Sequence, residues 1–221
     1  MICIIQARMG STRLHNKELA DIEGKPMLQR VLERVKQVPM LTEPAISSQI
    51  IVATTDNPQD EAICQLATKC GVKYYKGSEE DVLDRFYQAA KLYEATTVVR
   101  ICGDCPLIDP QVVNDALIFF MYGEYDYVVN RPSYPDGMDT EVFRFSTLER
   151  AWKRAKSKYD REHVTPYMQR DENLKIGRMI YDINLPDVKL SVDTPKDLEL
   201  ARKVYRELGE YFCMEDVLSI Q

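Results

Sequence analysis

No apolar run in the 221-residue chain is long enough to cross a bilayer. The opening Met1-Ile2-Cys3-Ile4-Ile5 is too short for a secretory core, has no basic flank and runs straight into charged residues, so a soluble, cytoplasmic protein without a membrane partner is expected. Histidine is scarce, at 2 residues, and the 6 cysteines are scattered at positions 3, 64, 70, 102, 105 and 213. Without a secretory leader they read as reduced thiols rather than a disulfide framework. Cys102-x-x-Cys105 is a single pair, and Cys64 and Cys70 are spaced wrongly for a second, which disfavours zinc or redox chemistry. Basic charge is also short: 29 Lys and Arg against 35 Asp and Glu leave a net −6, which argues against a broad grip on nucleic acid or anionic lipid. Any phosphate site must be local. The one Trp and 13 Tyr are not interleaved with basic runs, so they read as packing groups rather than a base-stacking platform. Neither G-x-x-x-x-G-K-[ST] nor G-x-G-x-x-G occurs, which disfavours a P-loop or a Rossmann dinucleotide site. Internal repeats, low-complexity segments and Pro-, Gly- or Ser-rich linkers are absent too, so residues 1–221 are expected to form one domain.

What is present is alternation. Short apolar runs at Ile2–Gln6, Ile50–Thr54, Val72–Tyr75, Val98–Ile101 and Tyr125–Asn130 are separated by amphipathic segments. That pattern predicts an α/β fold with a mainly parallel sheet flanked by helices. Asn57-Pro58, Asp109-Pro110 and Thr194-Pro195 read as helix caps followed by Pro at the first helical position. Asp60 and Asp197, three residues after the first and last of these, resemble the acidic half of a capping box. Between roughly 131 and 190 the pattern changes: a turn at Tyr134–Gly137 leads into a strand ending near Phe143, and Lys175–Ile183 reads as another. A small antiparallel insertion covering the sheet edge is expected there.

Three clusters carry chemistry. The first is the loop after the opening strand, Gln6-Ala7-Arg8-Met9-Gly10-Ser11-Thr12-Arg13-Leu14-His15-Asn16-Lys17. Open α/β sheets bind ligands at such strand ends. A polyphosphate there needs close backbone N–H donors, which Gly10 permits, and fixed cations, which Arg8, Arg13 and Lys17 supply. The competing explanation is a solvated basic connection. The second is Arg100-Ile101-Cys102-Gly103-Asp104-Cys105-Pro106, where a strand runs into an acid. Asp109 is accounted for as a cap, whereas Asp104 has no such structural task. In the third, Ser191-Val192-Asp193-Thr194-Pro195, Thr194 caps the next helix and Asp193 is left over. Mg²⁺ is commonly held by one or two carboxylates, with waters and substrate phosphates completing the octahedron, so Asp104 and Asp193 would suffice as metal ligands. In Asp160-Arg161-Glu162-His163, a capped helix with a solvated turn explains the two acids as well as any site does, and Arg161 and His163 are the better ligand candidates.

Taken together, Ile5–Leu14, Ala53–Asp56, Gly77–Arg85, Gly103–Ile108, Asp160–Pro166 and Val192–Pro195 resemble, in content and order, the cytidylyltransferases that include CMP-KDO and CMP-sialic acid synthetases, and in particular their SpsF-like branch of spore coat polysaccharide biosynthesis. The likeness spans nearly the whole chain. It implies a nucleotide-diphospho-sugar transferase fold and Mg²⁺-dependent transfer of CMP from CTP to a sugar or sugar-acid hydroxyl, with pyrophosphate released. By resemblance Arg8, Lys17, Asp104 and Asp193 are catalytic, and Asp104 and Asp193 hold the metal. Ala7, Arg8, Gly10, Ser11, Arg13, Lys17, Ala53, Thr54, Asp56, Arg100 and Gly103 face the nucleotide. Asp81, Asp84 and Arg85 lie near the nucleotide or the acceptor, and Asp139, Glu141, Arg161 and His163 line the acceptor pocket. A homodimer is implied by the likeness alone. One departure bears on Lys17: the family often reads Arg-Leu-Pro-Gly-Lys where this chain has Arg13-Leu14-His15-Asn16-Lys17. Two other readings stand beside this one, a nucleotidyltransferase using another NTP or a sugar 1-phosphate, and a catalytically silent nucleotide-binding partner of a polysaccharide assembly complex.

Overall fold

Strand β1 (Ile2–Gln6) is buried along most of its length, and its alternation sends Cys3 and Ile5 to one face and Ile2 and Ile4 to the other. A strand apolar on both faces belongs in the middle of a covered sheet. A computed structural model of the chain, describing residues 1–43, 49–181 and 188–220, places it there. After β1 come a short hairpin of β2 (Asp21–Ile22) and β3 (Lys25–Pro26), then α1 (Met27–Val35), α2 (Pro39–Thr42), β4 (Gln49–Thr55), α3 (Glu61–Lys69), β5 (Lys73–Gly77), α4 (Val82–Leu92) and β6 (Thr97–Cys102). The second half contributes α5 (Pro110–Tyr122), β7 (Tyr127–Val129), β8 (Glu141–Arg144), α6 (Phe145–Arg154), α7 (Lys158–His163), α8 (Pro166–Arg170), β9 (Ile176–Arg178), α9 (Pro195–Leu208) and α10 (Met214–Ile220).

The main sheet has seven strands in the order β5-β4-β1-β6-β8-β7-β9. β5, β4, β1 and β6 run parallel, β8 is antiparallel to both its neighbours, and β7 and β9 are parallel to each other. The fold class anticipated from the alternation is therefore the one observed, with one correction. Of the two strands expected as an antiparallel piece over the sheet edge, β9 is the edge strand but runs parallel to β7, and the antiparallel β8 lies inside the sheet between β6 and β7. Its inner position follows from its side chains, since Val142 and Phe143 are fully buried and pack into opposite core clusters. The strand expected over Lys175–Ile183 is shorter, and Asp182 and Ile183 lie outside the described residues.

One face of the sheet packs α1, α3 and α5 through residues such as Leu28, Val31, Ile63, Val113 and Leu117. The other packs α4 and α6 through Val82, Leu83, Phe86, Leu148 and Ala151. A third cluster joins α9 and α10 to Ile22, Leu107, Met138, Leu190 and Val192, so the end of the chain closes against the loops beyond β1 and β6. Two buried arginines fasten that closure. Arg34 donates to Ile108 O at 2.9 Å and Phe212 O at 2.8 Å, and Arg30 donates to Ile22 O at 3.0 Å and to Glu210 at 2.9 Å.

Two caps form as the sequence predicts. Asp109 accepts from Gln111 N at 2.8 Å, and Thr194 with Asp197 forms a complete capping box. The third does not: Asn57 makes no side-chain cap, and Asp60 is fully buried with its carboxylate turned to the neighbouring strands. Asp60 accepts from Met9 N at 2.7 Å and Thr55 N at 3.2 Å, and the Thr55 hydroxyl also donates to it. A buried carboxylate takes the strongest donors within reach. The free N–H of the loop after β1 outcompetes a helix end that Pro58 already starts.

The parallel strands β1 and β6 end side by side, and their following residues come into contact. Gly103 N donates to Gln6 O at 2.8 Å, and a Cβ on Gly103 would stand 2.7 Å from Gln6 O and 3.0 Å from the Ala7 Cβ. Gly103→Ala is expected to push the loop after β1 off β6, at a cost of about 1–3 kcal/mol for overpacking. Urea unfolding with a nucleotide-binding titration checks this; an unchanged midpoint and affinity would contradict it.

Candidate active site

Strand order reverses at β1: the chain proceeds outward through β4 and β5, then returns to place β6 on the opposite side. In open α/β sheets the ligand crevice lies beyond the strand ends at such a reversal. A cavity of about 730 Å³ opens there, lined by the loop after β1, the Cys102–Asp104 turn, the start of α4 and one side of α7. Its size falls within the usual range for small-molecule sites of about 300–1,000 Å³.

At one end Lys17 ties three segments together. Its ammonium donates to Asp104 Oδ2 at 2.8 Å, Val192 O at 3.0 Å and Asp193 Oδ1 at 3.1 Å. Arg13 reaches the same Asp193 oxygen at 2.7 Å, and Lys189 holds the other at 3.0 Å. Burial alone would lower the Lys17 ammonium, but Asp104 and Asp193 outweigh it and its pKa ends above the ordinary 10.5. Asp193 is likewise held below its ordinary value: burial raises it, and Lys189 and Lys17 more than reverse that.

The loop geometry accommodates Asn16 where the family often has Gly. Asn16 sits at φ 54°, ψ 32°, the left-handed region, immediately before the turn Lys17–Leu19. That conformation suits Gly and, among residues with a Cβ, Asn best, so Asn16 delivers Lys17 as a Gly would.

Farther along, Arg8 meets Glu79 at 2.9 Å, and Glu79 accepts from Asn57 Nδ2 at 2.7 Å. Arg85 lines the cavity almost fully buried, donates to Ser78 O at 2.8 Å and leaves its Nε without a partner. Burial, then the nearby Arg8, bring its guanidinium down to about 10. Glu18 is also buried on the cavity wall with Oε2 unpartnered, and desolvation pushes it up to about 7. Gln6 Oε1 is a third orphaned atom of the lining. Orphaned polar atoms beside a cavity are where a ligand completes the hydrogen bonding.

Of the residues singled out from the sequence, Ala7, Arg8, Gly10, Ser11, Arg13, Lys17, Arg85, Gly103, Asp104 and His163 line the cavity, and Asp193 joins them through Lys17. Others are not among its lining residues. Arg100 and Glu141 are register partners on β6 and β8 and form an ion pair, with the Tyr127 hydroxyl also donating to Glu141. Ala53 and Thr54 are buried in β4, Asp56 is exposed just after it, and Asp139 pairs with Arg131 at 3.2 Å while burial pushes it up to about 6. Arg161 donates to Asp81 at 2.9 Å and to Trp152 O at 2.8 Å, which pins α7 onto α4. Asp81 also caps α4, and Asp84 accepts from the Trp152 indole at 2.7 Å. The sequence does not single out Glu18 or Lys158, marks Glu79 and Glu80 only as part of the family-like segment Gly77–Arg85, and leaves Glu162 equally explained as a solvated helix turn; all five line the cavity. For Lys158 and Glu162, the i,i+4 spacing on one helix is the only sequence signal of a shared face.

Among the described residues no three His, Cys, Asp or Glu side chains gather to cage a metal. Asp104 and Asp193 nonetheless converge on a single positive centre, the Lys17 ammonium, and two hard oxygen donors beside a phosphate-sized cavity are what a phosphate-bound Mg²⁺ uses. The residues present therefore fit the ion.

Fold and cavity together define a nucleotidyltransferase of the nucleotide-sugar transferase type. The chain belongs to the cytidylyltransferase family, whose model matches residues 2–217, and is thus a CTP-dependent nucleotidyltransferase. It is 29% identical to the spore coat polysaccharide biosynthesis protein SpsF of Bacillus subtilis over 95% of this chain and 88% of that one. It superposes on a cytidylyltransferase from Leptospira borgpetersenii with TM-score 0.91 and 30% identity, covering 99% of this chain and 92% of the other. A CMP-2-keto-3-deoxy-manno-octonic acid synthetase solved with CTP shares the fold at TM-score 0.71 and 23% identity, over 93% and 98% of the two chains.

Asp197 supports the site from behind: it holds Lys189 at 2.8 Å and accepts from Asp193 N and Thr194 N, each at 2.9 Å. Burial would raise it, but Lys189 and those N–H groups hold it down at about 2, against an ordinary 3.8. A depressed carboxylate stabilises the fold above the unfolded value and loses that contribution as pH falls through the folded one. Asp197→Asn is expected to cost about 2 kcal/mol at neutral pH, with the difference from wild type shrinking between pH 4 and 2. Urea unfolding across that range checks it; a pH-independent difference would contradict it.

Proposed function

We propose that this chain transfers CMP from CTP to a hydroxyl of a sugar or sugar acid in a Mg²⁺-dependent reaction that releases pyrophosphate, in the assembly of a surface polysaccharide or glycoconjugate. The observation that carries it is the convergence of Asp104 and Asp193 beside a cluster of cations at the β1/β6 strand ends. A chain with net charge −6 places Arg8, Arg13 and Lys17 in one short loop there, so the positive potential is local, as a polyphosphate requires. The CTP bound by the structurally similar synthetase, and the polysaccharide pathway of SpsF, support the choice of nucleotide and setting.

In this reading Arg8 and Arg13 neutralise and orient the triphosphate, while Gly10 lets the loop backbone approach it. Asp104 and Asp193 would hold Mg²⁺, which supplies charge neutralisation at the α-phosphate and acidifies the attacking hydroxyl. The acceptor hydroxyl attacks the α-phosphorus in line with the departing pyrophosphate, so the protein mainly has to position and stabilise charge, and no covalent enzyme intermediate forms. The wall of Lys158, Glu162 and His163 offers a cation, an acid and an imidazole to the acceptor.

Pyrophosphate release with each of the four NTPs and a panel of sugars and sugar acids tests the proposal. CTP is expected to be preferred, and a catalytically silent partner would release none. Asp104→Asn is expected to lower kcat by at least about a hundredfold while changing nucleotide affinity far less, because the lost charge acts mainly on the transition state. Near-normal turnover by that variant would refute the assignment.

A further inference from the structure

The Lys17 ammonium occupies the point on which both carboxylates converge, and all three of its N–H donors are engaged, by Asp104, Asp193 and Val192 O. A divalent cation at that same point would take Asp104 Oδ2 and Asp193 Oδ1, the oxygens the ammonium uses, so ammonium and metal exclude one another there. The two acids do not depend on Lys17 equally. Asp193 keeps Arg13 and Lys189 if Lys17 departs, whereas among the described residues Lys17 is the sole cation paired with Asp104. With its side chain only 9% exposed, Lys17 has little water to receive it on leaving. A phosphate in the adjoining cavity would receive it, and the flexible four-carbon stem allows the move.

We propose that Lys17 is the resident cation of the metal site and vacates the Asp104–Asp193 pair only when a polyphosphate arrives to receive it, so that metal entry is coupled to nucleotide binding. The free protein is thereby kept from loading metal before substrate, and Asp104 is never left without a counter-charge. Coupling of this kind is reciprocal: whatever nucleotide does for metal affinity, metal does for nucleotide affinity. The proposal rests on reading Asp104 and Asp193 as metal ligands, and its test separates the two.

Mn²⁺ binding to nucleotide-free protein, followed by the loss of the free-ion paramagnetic resonance signal, provides a readout independent of turnover. Lys17→Met is expected to bind Mn²⁺ about tenfold or more tighter than wild type, a typical allosteric coupling factor. Adding Asp104→Asn to that variant is expected to erase the gain. Equal or weaker Mn²⁺ binding by folded Lys17→Met overturns the role of Lys17. A gain that survives Asp104→Asn overturns instead the assignment of the metal ligand. Should Lys17→Met fail to fold, the wild type decides by NMR of ¹³Cε-labelled lysine, with the Lys17 signal assigned by its loss in Lys17→Arg. Mg²⁺ alone is expected to leave that signal in place and Mg²⁺ with CTP to shift it; an equal shift with Mg²⁺ alone overturns the proposal.

Discussion

Everything at this site depends on one ammonium shared by two carboxylates. Lys17 comes from the loop after β1, Asp104 from the turn after β6, and Asp193 from the segment entering α9, so a single group binds three parts of the chain separated by as many as 176 residues. Remove that ammonium and Asp104 loses its paired cation, while Asp193 keeps Arg13 and Lys189. The remaining polar architecture serves to aim those three segments. Asp60 fixes the loop through Met9, Gly103 lets β1 and β6 close up, and Asp197 with Lys189 steadies Asp193 from outside.

Other charges singled out in the sequence are paired within the protein: Arg100 with Glu141, Arg161 with Asp81, Asp84 with the Trp152 indole. From α7, Lys158, Glu162 and His163 line the cavity. Charge is densest and most interlocked around Lys17, where Arg13, Lys189, Asp104 and Asp193 share contacts.

Much of this was legible in residue order. The doubly apolar β1, the alternation of strands with amphipathic segments, and the unassigned Asp104 and Asp193 led to the parallel sheet and to one half of the site, since strand ends in such sheets face the ligand. Where local pattern was trusted too far it failed. Asp60 has the spacing of a helix cap, yet a buried loop N–H claimed it; the segment around Glu141 reads as an edge piece, yet its apolar pair Val142 and Phe143 drew it inside the sheet. Glu18 gave no warning, because a charged residue in a turn looks solvated until another element closes over it.

Sequence alone therefore determined most of the elements, which acids no local cap explains, and that three cations stand in the loop after β1, because periodicity, capping and strand-end position are properties of neighbouring residues. Tertiary structure alone decided which charges face the cavity and which pair elsewhere. That choice turns on distances between segments far apart in the chain. It is why Lys17, one basic residue among 29 in the sequence, becomes the group on which Asp104 and Asp193 meet.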